Sequence, residues 1–247
     1  MSARLMSILA AVAMFIGSVT GAQAAEHRIT SLNWEPYVGE NLPGGGVLID
    51  VLRRALAANG DTLTVDFVPW ARAKAMAQGD AGIVGYYPSW PSDIEEGFFS
   101  SSIVFKSPVG FVQRKENPVV WENLSDLKGK SIVYVKSYGY PPEFQALIES
   151  GDVTAIGTTD ELKVIKMVAG GRADIGAVDP FVMATALASD PSMAGMADVV
   201  EYNDRNLVEY PLVLAMRDTA ENRALATQLE TTIAGMPVEQ IVAEAFQ

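Results

Sequence analysis

Apolar and polar positions along most of this chain switch between a period of two and a period near 3.6, the pattern of a protein that alternates strands with helices. The first unit reads as a strand over 28–32, an amphipathic helix over 47–59 stopped by Gly60, and a second strand over 63–68 with alternating apolar positions. Pro69 suits a first helical turn, so a helix is expected over 69–78, with Gly79 ending it and a strand resuming over 83–85. A second unit of the same design begins after the polar turn 126–130. It contains a strand over 131–135, a proline-led helix over 141–149 and a helix over 159–169 that runs into Gly170 and Gly171. The segment 171–179 then repeats the first unit's succession of helix, glycine turn and short apolar strand. Two similar α/β lobes follow.

The apolar run 210–216 and the helix expected over 220–233 come after the second unit without a sheet of their own. The economical arrangement returns them to the first lobe. The chain then crosses between lobes twice, near 110–113 and near 205–210, which is the layout of a hinge. The expected first lobe is discontinuous, 25–110 with 208–247, and the second lobe is 111–207.

The first residues change the picture of where the protein resides. Arg4 supplies a positive start, 5–19 is an almost uninterrupted apolar run, and Ala22, Gln23 and Ala24 end it with small residues, the plan of a cleavable secretory signal over 1–24. The run is short of the roughly 20 apolar residues that a spanning helix needs, so the processed protein is expected to be free of the membrane. Removing Arg4 takes the formal net charge from −12 to −13. An acidic surface of that size repels phosphate backbones and anionic lipid headgroups, so neither nucleic acid nor a membrane surface is an expected partner. There is no cysteine, hence no disulfide, no thiolate metal site and no lipid attachment after the signal. Retention then requires an outer membrane, which points to the periplasm of a Gram-negative cell.

Candidate chemistry is sparse. The lone histidine, His27, supports no histidine-based triad and no zinc cluster, and Ser125 with Lys128 is a Ser-x-x-Lys match without its partner motifs. No catalytic residue, metal or cofactor is expected. Aromatic residues, by contrast, are concentrated beside Gly or Pro in loops: Trp34, Tyr37, Tyr86, Tyr87, Trp90, Tyr138 and Tyr140. Tyrosine and tryptophan offer a flat apolar face with a polar handle, suited to sandwiching a ring or caging a cation, and equally to packing a lobe's edge. Trp34, Tyr37, Tyr86 and Tyr138 each follow a strand whose end should face a cleft. Arg72, two residues after Trp70 at a helix start, reads either as an anion anchor or as a surface arginine packed on that indole. Asp179 before Pro180 reads as a helix N-cap, a ligand contact, or both.

Several separated segments resemble the extracellular solute-binding proteins of polar amino-acid ABC importers. They are Trp34-Glu35-Pro36-Tyr37, the glycine-led helix from Gly46 to Leu56, and Val68-Pro69-Trp70-Ala71-Arg72-Ala73, which matches a proline-tryptophan-x-arginine variant. Phe99-Ser100, the turn 124–130 and the segment 171–179 complete the resemblance in order and spacing. It implies a two-lobed, type II periplasmic-binding-protein fold, a monomer, an amino-acid-like ligand with its ammonium at Asp179, and an inner-membrane ABC permease as partner. It also implies an arginine for the ligand's carboxylate several residues before Phe99-Ser100, where this chain has Asp93, and no arginine lies between Arg72 and Arg114. A few relatives with this fold are dehydratases, which keeps a periplasmic lyase as an alternative, beside a ligand sensor that serves no transporter. Asp93, Glu95 and Glu35 are the carboxylates such a lyase would draw on, and solvation at the surface is the expectation for all three.

Overall fold

The computed structural model describes residues 24–245, apart from the side chains of 102–104 and 243. The expected secretory signal therefore lies, except for Ala24, outside the described residues. Among the described residues, no helix is long and apolar enough to cross a membrane.

The first half of the chain forms β1 (Glu26–Ser31), α1 (Val47–Ala57), β2 (Thr62–Phe67), α2 (Trp70–Gly79), β3 (Gly85–Ser89) and the long β4 (Phe98–Arg114). The second half forms β5 (Ser131–Val135), α3 (Pro142–Glu149), β6 (Thr154–Thr158), α4 (Glu161–Ala169), β7 (Ile175–Val178), α5 (Pro180–Ser189), the long β8 (Val200–Arg217), α6 (Ala220–Ala234) and α7 (Val238–Ala245). All eight strands hydrogen-bond in the order β2-β1-β3-β8-β4-β7-β5-β6. β1 is parallel to β2 and β3, and β5 is parallel to β6 and β7. Each parallel trio is the centre of one lobe. The antiparallel pair β4 and β8 runs through both lobes and joins them, with register shifts at Val109/Gly110 and Gly110/Val112 midway along.

Helix α1 shows how pattern becomes packing. Val47, Leu48, Ile49, Val51, Leu52, Ala55 and Leu56 are buried on the sheet, while Arg54 turns outward to Asp50 at 2.6 Å. Each large apolar side chain buried in this way stabilises by roughly 1.5–3 kcal/mol. Gly46 opens the helix at φ 99°, and a Cβ there would stand 2.5 Å from the Tyr37 carbonyl oxygen, so the loop that carries Tyr37 can close on α1 only over a glycine. In the second lobe Val133, Val135, Val164, Ile165, Val168 and Met183 form a separate buried cluster between β5, α4 and α5.

Four elements differ from expectation: the strand read over 83–85 forms further on as β3, β6 has no counterpart in the expected pattern, and β8 and α7 differ as follows. The strand read over 210–216 is the end of an 18-residue strand. The stretch 200–209 contains Glu201, Asn203, Asp204, Arg205, Asn206 and Glu209 and shows no apolar alternation. β3 pairs with β8 only from Val213 to Met216, so the earlier part of β8 has β4 as its single sheet neighbour and tolerates polar side chains. Helix α7 was not anticipated in the pattern.

Candidate functional site

Three loops from each lobe converge on one cleft. In the first lobe they follow the carboxyl ends of β1 (residues 32–38), β2 (68–70) and β3 (90–95). In the second they follow β5 (136–141), β6 (159–161) and β7 (179–181). Ligand crevices of open α/β sheets lie at such strand ends, where the next helix begins and its N–H groups point out. The cleft has a volume of about 610 Å³. Asn33, Trp34, Glu35 and Trp70 line it from the first lobe, and Tyr138, Asp160, Glu161, Lys163 and Asp190 from the second. A smaller space of about 20 Å³, room for roughly one water, adjoins it between Trp34, Trp70, Trp90, Asp93 and Tyr138.

Aromatic rings form the cleft's inner wall. Trp34 stacks on Tyr37 with centroids 4.5 Å apart and meets Trp90 edge-on at 6.3 Å. Across the lobe boundary Trp90 touches Tyr138 at 5.2 Å and Tyr140 at 5.9 Å, and Tyr37 meets Phe181 at 6.2 Å. The Ser137–Tyr140 loop reaches this close because Gly139 has no side chain: a Cβ there would lie 2.7 Å from the Asp93 Cβ.

Two carboxylates of the second lobe are buried against that wall. Asp179 is 0 % exposed. Its Oδ1 caps α5, accepting from the backbone N–H of Phe181 at 2.8 Å and of Val182 at 3.2 Å. Its Oδ2 accepts from the Ser107 hydroxyl at 2.7 Å and the Tyr37 hydroxyl at 3.0 Å. Burial pushes the carboxyl up to about 6 against the pull of these four donors. Glu161, the first residue of α4, is 2 % exposed. It accepts from Trp34 Nε1 at 3.3 Å and from the Asp179 backbone N–H. Burial, and then the nearby Asp179 charge, hold its carboxyl well above the usual range. Neither carboxylate is in an ion pair among the described residues.

The first lobe contains the opposite arrangement. Asp93, 9 % exposed, accepts from Lys74 Nζ at 2.5 Å and from Trp70 Nε1 at 2.5 Å. Lys74 also reaches Glu95 at 3.0 Å and, across the cleft, the Ser137 carbonyl at 3.2 Å. Burial works against the Lys74 charge, but Asp93 and Glu95 outweigh it and hold the ammonium above its ordinary value. The expectation that Asp93 is solvated at the surface is therefore corrected: its turn folds under the Ser137–Tyr140 loop, where an ammonium and an indole N–H replace water. Glu35 and Glu95 are partly exposed.

Trp34, Trp70 and Tyr138 line the cleft, and Tyr37 and Asp179 are wholly buried beneath that lining, Tyr37 stacked on Trp34 and bonded to Asp179. Tyr86 stands behind the cleft. Its hydroxyl donates to the Asp93 carbonyl at 3.1 Å and accepts from the Glu95 N–H at 2.8 Å, so it secures the turn that carries Asp93. Tyr87 is wholly buried and its hydroxyl has no hydrogen-bond partner among the described residues. Burial alone raises that hydroxyl far above the ordinary tyrosine range. Arg72 is exposed on α2 and lines neither space. The cation that turns inward is Lys74, two residues on. Lys74 and Glu161 are the residues that sequence reasoning missed, and Trp90, named among the loop aromatics, was not among those chosen for contact. For Glu161 a signal existed: Thr159-Asp160-Glu161 follows a strand and opens a helix as Asp179-Pro180 does.

No family model and no curated protein matches this sequence. Solved structures do. An arginine transport-system periplasmic binding protein from Legionella pneumophila superposes with a TM-score of 0.68 at 14% identity, over 90% of this chain and 98% of that one. The GluR0 ligand-binding core from Nostoc punctiforme, in complex with L-glutamate, superposes with a TM-score of 0.69 at 15% identity, over 89% and 97%. A histidine kinase sensor domain with similarity to periplasmic binding proteins gives 0.70 at 14%, over 88% and 95%. The chain has the two-lobed α/β fold of the type II periplasmic binding proteins, its lobes joined by a two-strand hinge.

Proposed function

We propose that this protein is a solute-binding receptor of the Gram-negative periplasm that closes its lobes around a small, polar, amine-bearing molecule and presents it to an ABC permease of the inner membrane. The observation that carries the reading is the pair of buried carboxylates, Glu161 and Asp179, set beside the rings of Trp34, Tyr37 and Tyr138 with no cation partner among the described residues. A buried anion needs a compensating charge or proton, and an ammonium flanked by aromatic faces supplies one. The cleft's volume of about 610 Å³ falls in the range of roughly 300–1,000 Å³ usual for small-molecule sites. The likeness to a transport-system binding protein supports the importer, and the likeness to a sensor domain supports a second reading in which the same closure reports a signal. We place the lobes at 25–110 with 208–247, and at 111–207, after processing beyond Ala24, and we read the site as non-catalytic.

A thermal-shift screen of amines, amino acids and uncharged solutes tests the receptor. A true ligand at about 100 times its Kd adds roughly 2.7 kcal/mol of stability. Failure of every solute to raise the unfolding temperature, or turnover of a prephenate-like substrate, sinks the reading. Co-purification with a permease separates transport from sensing.

A further inference from the structure

We infer that the cleft selects an organic amine or guanidine that carries no carboxylate, and that Glu161 is its counter-ion. The inference rests on the receptor reading above and narrows it to a ligand class and an anchoring residue.

The argument begins with what a ligand carboxylate would meet. Four carboxylates line the cleft, Glu35, Asp160, Glu161 and Asp190, against one ammonium, Lys163. Lys163 is already committed to Asp160 at 2.6 Å and to the Thr159 hydroxyl at 2.6 Å. Lys74 has three N–H donors, and Asp93, Glu95 and the Ser137 carbonyl take them. Arg72 faces solvent. The N-termini of α4 and α5 are filled by the chain's own Asp160 and Asp179 carboxylates. The start of α2 has no side-chain cap, yet the Asp93 carboxylate lies against it through Trp70 Nε1. A carboxylate entering this cleft would lose its water among four like charges, and the one ammonium in the lining, Lys163, is exposed and already offset by Asp160.

A cation meets the reverse. Asp179 is saturated: four donors occupy the four acceptor positions of its two oxygens, and Tyr37 would have to release it before a ligand could bond there. Glu161 lines the cleft and is buried, and among the described residues it accepts two hydrogen bonds and has no cation partner. Its remaining lone pairs call for N–H donors, which a protonated amine or a guanidinium has and a quaternary ammonium lacks. Trp34, Trp70 and Tyr138 supply the aromatic faces around that position.

The experiment is calorimetry on the mature chain with matched pairs that differ only by a carboxylate: agmatine and L-arginine, cadaverine and L-lysine, histamine and L-histidine. The expected result is that the decarboxylated member of at least one pair binds at least tenfold tighter than its amino acid. Glu161→Gln should then weaken that binding tenfold or more while its unfolding temperature does not fall. Equal or tighter binding of the amino acids overturns the inference and leaves the receptor standing. Undiminished binding by folded Glu161→Gln overturns the counter-ion assignment. If none of the six compounds binds but an uncharged solute does, the ligand class is wrong and the receptor survives; if nothing binds at all, both fall. The matched pairs are measured on the unmodified chain, so the ligand class is tested even if the variant fails to fold.

Discussion

Asp93 and Asp179 are both buried aspartates on loops that close the same cleft, one in each lobe, and their surroundings differ in kind. Asp93 has an ammonium at 2.5 Å as well as an indole N–H. Asp179 has four donors, all neutral, and no cation partner among the described residues. Hydrogen bonds satisfy lone pairs, but they leave most of the charge's desolvation uncompensated. The first lobe is therefore electrostatically complete at its cleft. In the second, Asp179 and Glu161 lie together with no cation partner among the described residues, and that deficit is what a ligand can fill.

The largest expected effect breaks the complete side. Lys74→Met strands Asp93 as an unpaired buried carboxylate, which should cost about 3–5 kcal/mol of stability in urea denaturation. Adding Asp93→Asn removes the stranded charge while preserving an acceptor for Trp70, so the double variant should be more stable than Lys74→Met alone. A double variant no better than the single would show that the pair is not a buried charge pair at all.

On the incomplete side, stability should depend on pH in the opposite sense to that of an ordinary paired carboxylate. Asp179 titrates at 3.8 in the absence of structure and near 6 when folded. Between those values the folded state binds the extra proton, so stability falls as pH rises through that window and is level outside it. At roughly 1.36 kcal/mol per pH unit the loss is about 3 kcal/mol. Asp179→Asn should gain on the parent by about that amount between pH 4 and 6, read from denaturation curves at each pH. Parallel pH profiles for the two proteins would remove Asp179 from the account.

Two smaller effects sharpen the contrast. Asp160 caps α4 through the Lys163 N–H at 2.9 Å, and Asp160→Ala should lower stability by about 1 kcal/mol. The same substitution removes a negative neighbour of Glu161, so the Glu161 carboxyl should titrate lower, measurable by NMR. Arg72→Ala, on the exposed side of α2, should change thermal stability by less than about 0.5 kcal/mol and leave amine binding unaltered. A larger loss would restore Arg72 to the site.

Much of the fold was legible in the chain because its signals are local. The seven buried residues of α1, the prolines that open α2, α3 and α5, and the glycines that stop helices act within one or two turns, and their elements appear within two or three residues of expectation. The 18-residue β8 was legible only where it is enclosed. Its polar half is an edge with one neighbour, and alternation fades where one face need not be buried.

By itself the sequence determined two α/β lobes, an acidic and cysteine-free chain, and aromatic loops placed after strands, each a consequence of composition or of spacing within a few residues. The contacts that define the cleft depend on tertiary structure alone: Trp34 with Glu161, 127 residues apart, and Tyr37 with Asp179, 142 apart. The same folding turned Lys74 inward to Asp93 and left Arg72 outside, though both lie on one helix and carry one charge. Whether a carboxylate is solvated, paired or left wanting a cation depends on which distant groups share its dielectric surroundings. Chain spacing carries no record of that; the closure of one lobe on the other decides it.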